Sequence, residues 1–275
     1  MAAALLLSSA APARAFEPGL DFDQGVAVPA VLRAAREHAA PSLDVERVRG
    51  PLAAHPRAVW ILKSSGVCDG CAEAISKMLF TVGIPSQILG PGQLKSAVKP
   101  NDLIVIGGGI PDSDGEWTIK QDLMKAGAFE WVKQHIANGG RYVGICAGAY
   151  LTEKWIDQDN GEHGLDIFPG KIDNYTEGKK TKYLLTHWKN GVSRRVYFQD
   201  GPAMVPDPGA DISVWATFAK DDTPAAAIFP YGKGVVGLLS PHLEADEDWA
   251  AQANLKDPDG LDYDLGIAFI RKVME

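Results

Sequence analysis

Between residues 58 and 145 the chain repeatedly sets an apolar run of strand length beside a stretch with helical spacing. That alternation restricts the fold more than any other feature. Ala58-Val-Trp-Ile-Leu62, Ser86-Gln-Ile-Leu89, Leu103-Ile-Val-Ile106 and Arg141–Ile145 read as strands, and stretches over about 71–82 and 118–137 read as helices. Continuous apolar runs need cover on both faces, as in a parallel sheet. Their order, β-α-β-β-α-β with short connections, predicts an α/β doubly wound sandwich with a mostly parallel central sheet. Further strands are expected at 182–185, 195–198, 212–218, 225–229 and 235–240, extending the same sheet. A chain of 275 residues, 46% hydrophobic and 23% charged, can supply the core such a domain requires.

The fourth run leads into Gly144-Ile-Cys146-Ala-Gly148 and then a helical stretch. This is the cysteine form of the Gly-x-Ser-x-Gly elbow, a tight strand-to-helix turn that pushes one side chain out at the top of an α/β sheet. The N-terminal N–H groups of the following helix would favour thiolate, so Cys146 reads as a nucleophile. In sheets of this kind ligands bind beyond the carboxyl ends of the strands, so partners should come from other strand ends. Gly107-Gly108-Gly109 follows Ile106, and its N–H groups, with that of Ala147, could form an oxyanion hole. Gly234–Ser240 ends at Pro241-His242-Leu243-Glu244, where His242 and Glu244 project to one side of extended backbone. That pairing suits a base oriented by a carboxylate.

Residues 1–15 are expected to lie outside the fold. Ala2–Ala11 is a short apolar run, and Ala13-Arg14-Ala15 has the small-x-small form of a signal-peptidase site. The expectation is therefore an exported, periplasmic protein, with an N-terminal extension over 16–56 that includes a helix near 29–38. The main domain would occupy 57–275. A net charge of −8 with no Lys/Arg stripe excludes nucleic acid as a partner, and no run reaches the length of a membrane span.

The elbow, glycine turn and His-x-Glu segment together resemble the class I glutamine amidotransferase-like superfamily, with its flavodoxin-like layering. Within it the chain is similar to the family named for the N-terminal domain of biotin–protein ligases. The similarity rests on Ile104–Gly108, Gly139–Gly148, Phe168-Pro-Gly170, Tyr197–Pro202 and Gly232–Glu244, and covers about residues 57–272. The resemblance implies a Cys146–His242–Glu244 triad with oxyanion donors near Gly108 or Gly109 and Ala147. Protease relatives of this fold take an acid from the end of the first strand; here that position reads Lys63-Ser-Ser-Gly66. An exported chain would lack ATP and a synthetase partner, so the expectation is a hydrolase of small-molecule or peptide amides. No cofactor is expected.

Cys68-Asp-Gly-Cys71 opens the first helix on the same edge as Cys146. Four readings stand open: a structural disulfide, a redox pair, a soft-metal clip and a gate that pairs with Cys146. A silent binding, redox or metal protein on the same fold is the alternative to the hydrolase. Asp112 and Asp114 read as loop caps, Asp246-Glu247-Asp248 as a solvated helix start, and His187 beside Trp188 as a structural histidine.

Overall fold

The structure is a computed structural model that describes residues 58–110, 115–157, 161–175 and 181–275. The leader and extension expected over 1–56, and Asp112 and Asp114, lie outside the described residues. Strands are β1 (Val59–Leu62), β2 (Ser86–Leu89), β3 (Leu103–Ile106), β4 (Arg141–Ile145), β5 (Trp155–Asp157), β6 (Glu162–His163) and β7 (Gly170–Asn174). They continue as β8 (Lys182–Trp188), β9 (Ser193–Phe198), β10 (Pro202–Pro206), β11 (Ser213–Phe218), β12 (Pro224–Tyr231) and β13 (Gly234–Leu239). The helices are α1 (Cys71–Phe80), α2 (Leu94–Ala97), α3 (Gly115–Lys125), α4 (Phe129–Ala137), α5 (Ala147–Tyr150), α6 (Glu247–Gln252) and α7 (Tyr263–Met274).

Nine strands form one sheet in the order β2-β1-β3-β4-β13-β12-β11-β8-β9. The first five run parallel, and antiparallel pairing begins at β13–β12. The second half of the chain therefore extends the sheet, as the sequence led us to expect: β13 joins it parallel to β4, and β12, β11, β8 and β9 continue it antiparallel, while β7 and β10 pair in a small sheet of their own. Successive residues of the parallel strands enter different cores. Trp60, Leu62, Ile104, Ile106 and Tyr142 pack on one face against α3 and α4 residues such as Leu123 and Val132. Val59, Ile61, Leu103, Val105 and Val143 pack on the other against α1 and α7 residues such as Met78 and Phe269. Strands buried on both faces cannot show polar alternation, which explains their uninterrupted apolar sequences.

The single helix expected over 118–137 is two. Gly127 sits at φ 62°, and Ala128 N–H donates to Leu123 O at 2.7 Å, closing α3 with a Schellman turn before α4 begins. Among the described residues no helix is long and apolar enough to cross a membrane.

The amino end of the parallel strands is held by a buried carboxylate. Asp102 accepts from Ala58 N–H (3.2 Å), Trp60 Nε1 (2.7 Å) and Lys99 N–H (2.9 Å). Buried donors stripped of a charged acceptor are costly to leave unmatched. Asp102→Ala should therefore destabilise the domain by about 3 kcal/mol in urea titrations. The alkylation rate of Cys146, at the opposite end of the strands, should stay unchanged.

Candidate active site

The carboxyl ends of four neighbouring parallel strands supply the site: the loop after β1 carries Cys68, that after β3 the glycine turn, β4 leads into Cys146, and β13 into His242. Cys146 has φ 51° and ψ −108°, a conformation that L-residues avoid, and is almost buried. The turn exists because backbone approaches backbone. A Cβ on Gly148 would run into the carbonyl oxygen of Ile106, and one on Gly144 into that of Gly148. Gly148 N–H donates to Gly107 O at 3.1 Å, and the buried Tyr142 hydroxyl donates to Gly148 O at 2.7 Å. These bonds lock the elbow against the end of β3. The helix after it, α5, is a single turn whose Gly148, Ala149 and Tyr150 N–H groups are taken by Gly107 O and Cys146 O, so Ala147 N–H rather than a long helix dipole is left at the elbow.

His242 and Glu244 are both buried, and His242 Nδ1 lies 2.9 Å from Glu244 Oε1. The Cys146 sulfur is within hydrogen-bonding reach of the same ring. Burial by itself would lower the His242 pKa. The Glu244 carboxylate and the Cys146 sulfur outweigh it and push the imidazole up to about 10. Glu244 Oε2 takes no hydrogen bond among the described residues, so the imidazolium is the carboxylate's principal compensation. Trp249 and Tyr197 enclose the ring, with centroids 5.4 and 6.2 Å from it, and His242 N–H donates to Tyr197 O at 2.9 Å.

The glycine turn comes next to the elbow. A Cβ on Gly109 would stand 2.9 Å from Cβ of Ala147, and one on Gly108 would stand 2.6 Å from His242 Cε1. The N–H groups of Gly108, Gly109 and Ala147 find no acceptor among the described residues. They are thus free to receive an oxyanion. The structure brings Cys146, His242, Glu244, Gly108, Gly109 and Ala147 together. Lys63, just after β1, turns outward to pair with Glu73.

Two groups had no role assigned from sequence. The carbonyl oxygens of Gln199 and Asp200 lie 3.5 and 3.9 Å from Cys146 Sγ, on a loop turned by Asp200 at φ 51°. Gly201 allows that loop to rest on the Ser240 backbone. Tyr150 walls the site beside Cys146. Burial, with Cys146, Glu116, Asp200 and Asp173 nearby, raises its hydroxyl pKa, and it donates to Asn174 Oδ1 at 2.8 Å. His187 instead bonds Ser193 Oγ at 2.8 Å on the antiparallel half, in keeping with a structural histidine. Asp246 caps α6 through Asp248 N–H and pairs with Lys77.

Cys68 and Cys71 are joined to each other as a disulfide, while Cys146 is a free thiol. In this state neither of the pair is bonded to Cys146 or available to a soft metal. Among the described residues no group of three or more His, Cys, Asp or Glu side chains could hold a metal ion.

Residues 101–172 match the family described as "Biotin-protein ligase, N terminal". Among curated proteins, the imidazole glycerol phosphate synthase subunit HisH of Thermus thermophilus is 24% identical over 123 residues, 45% of this chain and 57% of that protein. The chain thus spans little more than half the length of the curated relatives it matches. A solved glutamine amidotransferase superposes with TM-score 0.52 at 18% identity, over 69% of this chain and 98% of its own. A cytoplasmic protein from Salmonella typhimurium gives 0.51 at 16% identity, over 79% and 98%. The fold is that of the glutamine amidotransferase-like α/β proteins.

His242 binds its proton more tightly folded than unfolded, so the stability it contributes is fully present below pH ~6.5 and is lost as pH rises through about 10. The urea midpoint of the protein should fall across that window. Glu244→Gln removes the main group holding the proton on the imidazole, and should flatten the decline.

Proposed function

We propose that the chain is a cysteine hydrolase of amide bonds, with Cys146 as nucleophile, His242 as acid and base, and Glu244 as the group that orients and charges His242. One observation carries this reading: the buried imidazole stands between Glu244 and a sulfur on a strained elbow. The free N–H groups beside that sulfur and the likeness to glutamine amidotransferase folds support it.

With the substrate carbonyl oxygen directed at the N–H groups of Gly109 and Ala147, the Cys146 thiolate adds to the carbonyl carbon. The oxyanion then collapses and the C–N bond breaks. The His242 imidazolium delivers its proton to the departing amine. The neutral ring next takes a proton from water, which adds to the thioester and releases the acid and the Cys146 thiolate. Each turnover consumes one water and leaves the sulfur and imidazolium as they began. Trp249 and Tyr197 cover the ring and keep bulk water from competing for its protons.

The substrate class we assign is small-molecule or peptide amides. Export forms part of the same proposal and rests on the apolar run and Ala13-Arg14-Ala15. Hydrolysis needs only the triad, the donors and water, so it suits a compartment without ATP.

Iodoacetamide alkylation of Cys146, mapped by peptide mass spectrometry across a pH series, tests the reading. At pH 6 the wild-type thiol should react at least about tenfold faster than in His242→Ala. Equal rates throughout would sink the triad.

A further inference from the structure

The disulfide lies against the oxyanion turn. Cys68 N–H donates to Gly108 O at 3.0 Å, and Ile110 N–H donates to Gly66 O at 3.1 Å, so 66–68 and 108–110 form a short antiparallel clip around Val67 and Gly109. From the other side, Cys71 Sγ lies 3.5 Å from the position a Gly108 Cβ would take. The same position is 2.6 Å from His242 Cε1, which brings Cys71 Sγ within about 6 Å of the ring. Gly107 is seated in the same manner, 3.5 Å from Cys71 Cβ and 3.1 Å from Ile75 Cδ1 by its own Cβ position. The turn that offers the oxyanion donors is therefore held between the two cysteines and the catalytic imidazole.

The two sulfurs differ in access. Cys71 is fully buried as the first residue of α1, whereas Cys68 is partly exposed beside exposed Asp69 and Gly70. That asymmetry gives an incoming thiol one sulfur to attack and leaves the other as the departing group at a helix start.

We infer that Cys68–Cys71 is a thiol–disulfide exchange site for an external dithiol, and that its redox state sets the reactivity of Cys146. The inference rests on the hydrolase reading above. A thiolate of the dithiol bonds to Cys68 Sγ, the Cys68–Cys71 bond breaks, and Cys71 leaves as thiolate. The second thiolate of the dithiol then attacks the mixed disulfide and releases Cys68. The protein gains two electrons and two protons, and the dithiol becomes its own disulfide. Once the link is cut, Cys68 and Cys71 are free to separate beside the turn, and the freed Cys71 sulfur presents a new partner close to His242. The oxidised form is the active one, which matches an oxidising compartment.

The test uses the full chain and iodoacetamide at low conversion, with alkylation read at the Cys146 peptide. Oxidised protein is compared with protein reduced by dithiothreitol and desalted anaerobically, with the same sample reoxidised, and with Cys68→Ser/Cys71→Ser. Amide hydrogen exchange at residues 107–110 is followed in parallel. Cys146 should alkylate at least about tenfold faster when oxidised, because small displacements at a catalytic pair cost rate steeply. Reoxidation should restore the rate, and exchange at the turn should quicken on reduction. Unchanged alkylation and unchanged exchange on reduction would overturn the coupling while leaving the hydrolase reading intact. An oxidised rate no faster than that of His242→Ala would overturn the hydrolase reading and the coupling with it. If the double variant fails to fold, reversible reduction of the wild type decides the matter.

Discussion

The contact on which the site depends is one of backbone with backbone, where the Cys146 turn meets the end of β3. Gly148 has no room for a side chain against the Ile106 carbonyl, and its N–H is fixed to Gly107 O. That contact settles two things at once. It holds the chain in the conformation that lifts the Cys146 sulfur clear of the sheet, and it sets the N–H of Ala147 beside the glycine turn. A single methyl group at residue 148 would push the Cys146 sulfur away from the glycine turn, because interiors of this density yield little.

Charge is the second constraint. Glu244 is fully buried with a single hydrogen-bonded oxygen, and in such surroundings an ion without compensation is expensive. The expense is met by keeping a proton on His242. The aromatic cover of Trp249 and Tyr197 strengthens that interaction by excluding water. Where that proton rests is thus a property of the folded packing. The Asp102 cluster at the opposite end of the strands uses a buried carboxyl group differently: three neutral N–H donors hold it in place. One end of the sheet keeps the fold, and the other end carries the candidate site.

Much of this was legible in the chain. The apolar strands announced burial on both faces, Gly-x-Cys-x-Gly announced the elbow, and the spacing of His242 and Glu244 survived into a 2.9 Å hydrogen bond. What escaped follows from physical causes. The break at Gly127 was hidden because its flanks, Met124-Lys-Ala126 and Ala128-Phe129, carry ordinary helix formers, and only the positive φ of one glycine ends α3. The carbonyls of Gln199 and Asp200 reach the sulfur through main-chain atoms, which side-chain identity does not report. The antiparallel direction of β12 and its neighbours depends on which edge of the sheet was still open, a three-dimensional fact. The nearness of Cys71 to His242 likewise needs β1, β3 and β13 in one sheet before it can be seen.

Cys146 holds a backbone conformation natural only to glycine, and it does so next to a buried charge pair. Its position therefore stores free energy that folding elsewhere must offset, on the order of 1–3 kcal/mol for such a residue. A chain with glycine at 146 would be relieved of that strain and would lose the thiol. Cys146 thus sits where the fold by itself would favour glycine.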